Sequence, residues 1–397
     1  MCTRRRPVCM RLRSSKYALA GVVWVLLAVW PATAVAHDAS SWGGLFRSRD
    51  GGATWFQANQ GRLVAGALAI AVDPSDANHL LLGTDAGLLT SRNGGLDWQA
   101  AVGLPGTAVL AAAFDRDGRR QLAGSDVGVF SSDDGAGWRA AAVPAGGVPA
   151  RALVVGRRPG QVYLLGAQGL FRSDDWSTTW TRLDAGLPRG AVLGLAVVDD
   201  RTLVCLVAGQ PWLSDDAGQS WRPGPGGLPR GQLQMLSADQ TGVWTAGADR
   251  LFRSEDGGRT WRNVGQPLPD AHTDTRGVVA SADGTRILVS THRGAYTTTD
   301  GGATWNALTD NLPGHIEAGP LLRDPVDART VYIGFALTPY DEQWRRAVNG
   351  GSAASRIGTA DVVGAAAFLL LLALGSGVAL QWLARRRAPH TAAAFLP

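Results

Sequence analysis

Cysteine is nearly absent from the part of this chain that could fold. Of three, Cys2 and Cys9 lie in a cationic N-terminal segment, which leaves Cys205 alone in the apolar run TLVCLVAG. A lone thiol in such a run reads as a small buried hydrophobe, and a disulfide-held scaffold is excluded. The six histidines, at 37, 79, 272, 292, 315 and 390, show none of the spacings that hold a metal. No phosphate-binding glycine loop, nucleophile elbow or Cys/His pair is present. Neither a metal nor a cofactor is expected. Lysine is scarce too, with Lys16 standing against 37 arginines.

Acidic residues are missing from both ends. Residues 1–36 hold Arg4, Arg5, Arg6, Arg11, Arg13 and Lys16, and residues 385–397 hold Arg385, Arg386 and Arg387. Without these nine cations, 29 basic and 33 acidic residues remain, so 37–384 carries −4 although the whole chain carries +5. The basic footprint of a nucleic-acid binder is therefore absent from the body of the chain, and no nucleic-acid partner is expected.

What the ends do carry points to a membrane. The N-terminal cations precede an apolar stretch, Ala18 to Trp30, and the small triplet Ala34-Val35-Ala36. That is the three-part form of a secretory signal cleaved after Ala36. Val362 to Leu383 is an uncharged run of 22 residues, long enough to cross a bilayer core of ~30 Å as a helix. The arginines that follow should stay in the cytoplasm. The expected order is a signal peptide at 1–36, a folded domain at 37–340, a polar linker at 341–361, a transmembrane helix at 362–384 and a cytoplasmic tail at 385–397. The folded domain would then be extracytoplasmic, in the periplasm or at the surface of a bacterium.

Between these ends one phrase recurs seven times, as Ser/Thr-x-Asp-x-Gly-x-x-Trp. Its acids or their stand-ins are Asp50, Asn93, Asp133, Asp175, Asp216, Asp256 and Asp300. Its aromatic ends are Trp55, Trp98, Trp138, Trp180, Trp221, Trp261 and Trp305. The tryptophans stand 43, 40, 42, 41, 40 and 44 residues apart, the interval of four-stranded propeller blades. Seven phrases predict an all-β, seven-bladed propeller. The phrase itself is a hairpin turn: Ser and Asp side chains bond nearby backbone, Gly supplies positive φ, and Trp buries a ring at the seam between blades. The third copy is a residue short, which makes Ser132 rather than Ser131 its serine. The fourth has Ser177 where Gly is expected.

The second repeat shows the unit, with strands at ALAIAV, LLLGT and Leu88–Thr90 before the phrase and a fourth at Trp98. Only one strand, beginning at Gly44, precedes the first phrase. After the last phrase, HIEAGPLLRDPVDARTVYIGF matches LVAGALAIAVDPSDANHLLLG of the second repeat. The C-terminal segment is thus expected to supply the two strands that the N-terminal segment lacks, closing the ring as a split blade and protecting its edges.

On these residues the chain resembles the BNR/Asp-box propellers, grouped with the WD- and YVTN-type repeats, over 42–340. Among them it is most similar in size, blade count and export to the photosystem II stability/assembly factor propellers. Those are not enzymes but hold a membrane-protein partner. More distantly it resembles sialidases and xyloglucanases. The early Arg-Ile-Pro motif of sialidases is absent, and xyloglucanases use two rings. The C-terminal membrane span is a departure from the assembly factors. The resemblance implies a non-catalytic scaffold that binds an envelope or membrane protein, as a monomeric ring. The alternative it implies is a glycoside hydrolase or glycan-binding protein.

In such a ring the B–C turns and D–A loops share the face opposite the Asp boxes. The B–C turns are expected to carry Asp85, Asp126, Gln168, Gln210, Asp249, Arg250, His292 and Arg293; Arg189, Arg230, His272, His315 and Glu317 fall in the D–A loops. Varied polar groups around a central channel make a candidate partner rim. Asp85 and Asp126 are the pair that a hydrolase would use, whereas Arg250, His292 and Arg293 are the cationic group that a scaffold would use.

Overall fold

The computed structural model describes residues 43–349, and these form a seven-bladed β-propeller. Its 28 strands fall into seven antiparallel four-stranded sheets. Blades 2 to 7 are each continuous in sequence, at 67–100, 109–140, 150–182, 192–223, 233–264 and 275–307. In each, strand A leads outward through B and C to a short D strand of two or three residues. Strand A of every blade contacts strand A of the next, so the seven A strands ring the axis.

Blade 1 is split as the sequence predicts. Its A and B strands are Glu317–Arg323 and Val331–Ala336, and its C and D strands are Gly44–Ser48 and Phe56–Gln57. Strand C pairs with B in the register Gly44↔Phe335 through Ser48↔Val331. The two ends of the ring therefore meet as ordinary antiparallel neighbours.

Apolar residues of the B strands are buried almost without alternation; Leu203–Val207 and Val162–Gly166 are buried at every position. Both faces of each blade are covered, so the usual in/out pattern of a half-solvated sheet does not apply. Seven apolar clusters result, one in each gap between neighbouring blades. Cys205 lies fully buried in the cluster between blades 4 and 5, and burial pushes its thiol well above the ordinary range.

The Asp boxes form the C–D turns. In blade 1 the Ser48 hydroxyl donates to Asp50 Oδ1 at 2.7 Å and accepts the Gly52 N–H at 2.7 Å. Asp50 in turn accepts the backbone N–H groups of Ala53 and Thr54 and the Thr54 hydroxyl. In blade 2 the polarity is exchanged: Asn93 Oδ1 accepts the Asp97 N–H, and Asn93 Nδ2 donates to the Asp97 carboxylate. Blade 3 corrects one expectation. Ser132 is the phrase serine, accepting the Gly135 N–H, but Asp134 rather than Asp133 caps the turn through the Ala136 N–H. With one residue fewer, the register of the acid moves by one, and Asp133 instead pairs with Arg139 at the surface. In blade 4, Trp176 and Ser177 take the positive-φ positions at 55° and 73°.

The segment from 341, expected to be linker, is helical at its start. Helix α1, Tyr340–Val348, follows strand B of blade 1 after three residues. Among the described residues no helix is long and apolar enough to cross a membrane. The expected signal at 1–36, most of the linker, the span at 362–384 and the tail lie outside the described residues.

Candidate functional site

Because neighbouring strands are antiparallel, the A–B turns and Asp boxes share one face of the ring and the B–C turns and D–A loops the other. The B–C hairpins close through two-residue turns. Thr84 pairs with Gly87 across Asp85-Ala86, Gly166 with Gly169 across Ala167-Gln168, and Thr291 with Gly294 across His292-Arg293. Gln210 and Arg250 are instead the first residues of their C strands, paired with Val207 and Gly247. Their turns are Ala208-Gly209 and Ala248-Asp249, with the alanines at φ 49° and 53°. The eight candidates therefore occupy three different register positions.

Their surroundings differ as well. Asp85 lines a cavity of about 270 Å³ with Arg62, Thr84, Leu89 and Leu104, and no other acid among the described residues lines it. Burial pushes its carboxyl up, against hydrogen bonding from backbone that includes Gly66. Asp126, one blade on, is buried at 7 % exposure. Gln168 lines a larger cavity of about 630 Å³ with Arg189, over Leu187, Pro188 and Val207. In the same wall Arg182 forms a fork to both Asp184 oxygens at 2.6 and 2.8 Å. Arg250 and Arg293 are exposed. His292 is not free in the same way. Its Nδ1 accepts the Asp274 N–H at 2.8 Å, which pins the D–A loop to the turn.

The centre of this face holds residues that the sequence did not single out. Helix α1 lies over the N-terminal ends of the A strands. The Tyr340 hydroxyl donates to the Ala67 carbonyl at 2.7 Å, and the Tyr340 ring packs with Leu68, Ala108 and Ala336. The Tyr340 N–H donates to Glu317 at 2.8 Å. Burial raises the Tyr340 phenol well above its ordinary range. Two arginines face the helix, each at the second position of an A strand. Arg276 in blade 7 donates to Asp341 at 2.9 Å and lies 3.7 Å from Glu317. Arg151 in blade 4 stacks its guanidinium 4.1 Å from the centroid of the Trp344 ring. Burial lowers the Arg151 pKa against the attraction of Asp341. For Arg276 burial acts in the same direction, and Asp341 and Glu317 more than offset it.

The signal for these residues was present but thin. The second positions of the other A strands include Leu68, Leu110 and Leu193, so an arginine there breaks an apolar pattern. In the segment YDEQWRRAV, positions 340, 343, 344 and 347 form one helical stripe.

No family model matches the chain. A probable oligoxyloglucan-reducing end-specific xyloglucanase of Neosartorya fischeri is 25 % identical over 187 residues, which is 42 % of this chain and 22 % of that protein. The chain thus spans about a fifth of the length of this curated relative. Among solved structures, YCF48 bound to a D1 peptide superposes with a TM-score of 0.53 at 16 % identity, over 69 % of this chain and 94 % of that one. YCF48 from Cyanidioschyzon merolae gives 0.53 at 13 %, over 69 % and 96 %. A GH74 xyloglucanase from Xanthomonas campestris gives 0.51 at 22 %, over 71 % of this chain and 55 % of the enzyme. Identities this low show the fold alone. In ring and in repeat phrase the chain is similar to the BNR-like propellers, with YCF48 proteins and GH74 xyloglucanases among its structural neighbours.

Proposed function

We propose that this chain is an exported, membrane-anchored, non-catalytic propeller that binds and positions another protein of the cell envelope. The carrying observation is that Asp126 does not line the cavity that holds Asp85. Glycoside hydrolysis needs two carboxyl groups flanking one bond, roughly 5–9.5 Å apart. Asp85 is the one acid in its cavity among the described residues, and Asp126 is buried in the next blade. The rest of the face offers exposed arginines and a polar cleft, the equipment of a binding surface. The size of the ring supports this reading: the match covers nearly all of the YCF48 ring solved with a peptide bound, but about half of the GH74 enzyme. The uncharged run at 362–384 would supply the anchor and 1–36 the export signal.

A glycan-processing role is the second reading, favoured by the 187-residue similarity to a xyloglucanase. One experiment separates the two. Tagged full-length protein is recovered from solubilised membranes and its co-purifying proteins are identified, while the same preparation is assayed on a sialoside and a β-glucan. The scaffold reading expects a membrane protein that is lost from the Arg250→Ala/Arg293→Ala variant, and no cleavage. Cleavage that Asp85→Asn or Asp126→Asn stops would overturn it.

A further inference from the structure

Helix α1 is a poor helix on its own terms. It has nine residues, and Pro339 at its N-cap offers no side-chain cap. Isolated helices of this length are marginal in water, so its helicity depends on the surface beneath it. That surface is not fully served by the helix. Nε and Nη2 of Arg276 are buried and make no hydrogen bond, Nη2 standing at ion-pair distance from Glu317, and among the described residues Arg151 has no ion pair. Asp341, the carboxylate that faces both arginines, stays largely exposed, with 64 % of its side chain open to solvent. Arg276 thus meets the partly buried Glu317 and the loosely seated Asp341, while Arg151 meets only the Trp344 ring.

From this geometry we infer that α1 is a displaceable plug, and that the channel mouth beneath it is a receptor for a protein segment presenting a carboxylate and an aromatic ring three residues apart. Asp341 and Trp344 are the internal stand-ins for that segment. An incoming carboxylate that reaches Arg276 Nε or the unpaired Arg151 gains charge-assisted hydrogen bonds that α1 leaves unmade. The docked helix competes from within the chain at high effective concentration, so only a better-fitted segment displaces it. The inference rests on the scaffold reading for the existence of a partner, but the plug can be tested without one.

The probe is a labelled peptide of residues 338–349, TPYDEQWRRAVN, titrated against the purified full-length chain. Two variants open the mouth by different routes. Arg345→Pro leaves the surface beneath the helix and Tyr340, Asp341 and Trp344 in place but breaks the helix from within. Asp341→Ala/Trp344→Ala removes the stand-ins themselves. Both should bind the peptide at least ~10-fold tighter than the unaltered chain, since the competing helix is gone. Adding Arg151→Ala, or replacing the peptide's Asp with Asn, should reverse that gain. Equal binding by the unaltered and opened chains, or binding indifferent to Arg151 and to the peptide carboxylate, overturns the plug. Peptide exchange without any co-purifying membrane protein would leave the plug standing and remove the scaffold reading.

Discussion

The Trp98 indole N–H donates to the Ala58 carbonyl at 2.7 Å, tying the Asp box of blade 2 to the D–A loop that leaves blade 1. Trp180, Trp221 and Trp305 make the same bond, to Ala142, Leu183 and Gln266, so at four of the seven phrases the tryptophan staples blades as well as filling the seam, whereas Trp55 and Trp261 donate to Gly52 and Gly258 of their own turns. Trp138 sits at the equivalent place, but its buried indole nitrogen finds no acceptor among the described residues. The two positions should respond differently to loss of the indole N–H. Trp98→Phe leaves a carbonyl without its donor and should cost about 1–3 kcal/mol. Trp138→Phe removes an unsatisfied donor, so it should lose only the packing of the indole and cost less than Trp98→Phe. Chemical unfolding of the two variants decides; equal losses would reduce the staple to packing alone.

The box aspartates give the ring an acid limit. Hydrogen bonds from Ser220 and Ser214 hold Asp216 down to about 2 from 3.8. At Asp50 and Asp256 burial pulls upward, yet bonds from the neighbouring Thr and Ser bring both to about 2. A lowered carboxylate pKa stabilises the fold above the unfolded value and loses that contribution as pH falls through the folded one. The melting temperature should therefore drop between pH ~4 and ~2. Asp256→Asn, which repeats the residue type that Asn93 already supplies in blade 2, should flatten part of that slope while the turn survives. An unchanged slope counts against the boxes as its source.

Ring closure can be cut directly. A chain ending before Ile316 lacks strands A and B of blade 1 and leaves Gly44–Ser48 with an open edge. It should aggregate, or melt far below a chain ending at Asn349. Matching melting temperatures would mean that the split blade is dispensable.

On the rim, Arg250 and Arg293 are exposed and should be replaceable by Ala within about ±0.5 kcal/mol. His292→Ala should cost about 1 kcal/mol more, because the Asp274 N–H loses its acceptor. A triple alanine variant is thus a poor test of binding, and the arginine pair is the better one. A stable His292→Ala variant would show that the loop is held some other way.

The blades were legible because each repeats a turn that only a few residue types can make, and because Trp spacing reports the blade period. The split blade was legible for the same reason, since the last strands copy those of blade 2. Asp133 was misplaced because a phrase one residue short keeps its composition while changing its register. Helix α1 was missed because Arg345, Arg346, Asp341 and Glu342 dominate its composition and hide the stripe of Tyr340, Gln343, Trp344 and Ala347. Arg151 and Arg276 were missed because each is one charge in an apolar strand, and only the ring brings them to the same helix.

The split blade also sets an order in time. Strand C of blade 1 is the first of the fold to leave the ribosome, and its partner Val331–Ala336 is the last strand of all. At roughly 5–20 residues per second, the ~280 residues between Ser48 and Val331 take on the order of 15–60 s to follow. Throughout that wait six blades can stack on one another while Gly44–Ser48 holds its backbone donors open on one side. Any holding factor that meets this chain during synthesis would therefore find its target at the front. The earliest strand to emerge is the last to have both of its edges paired.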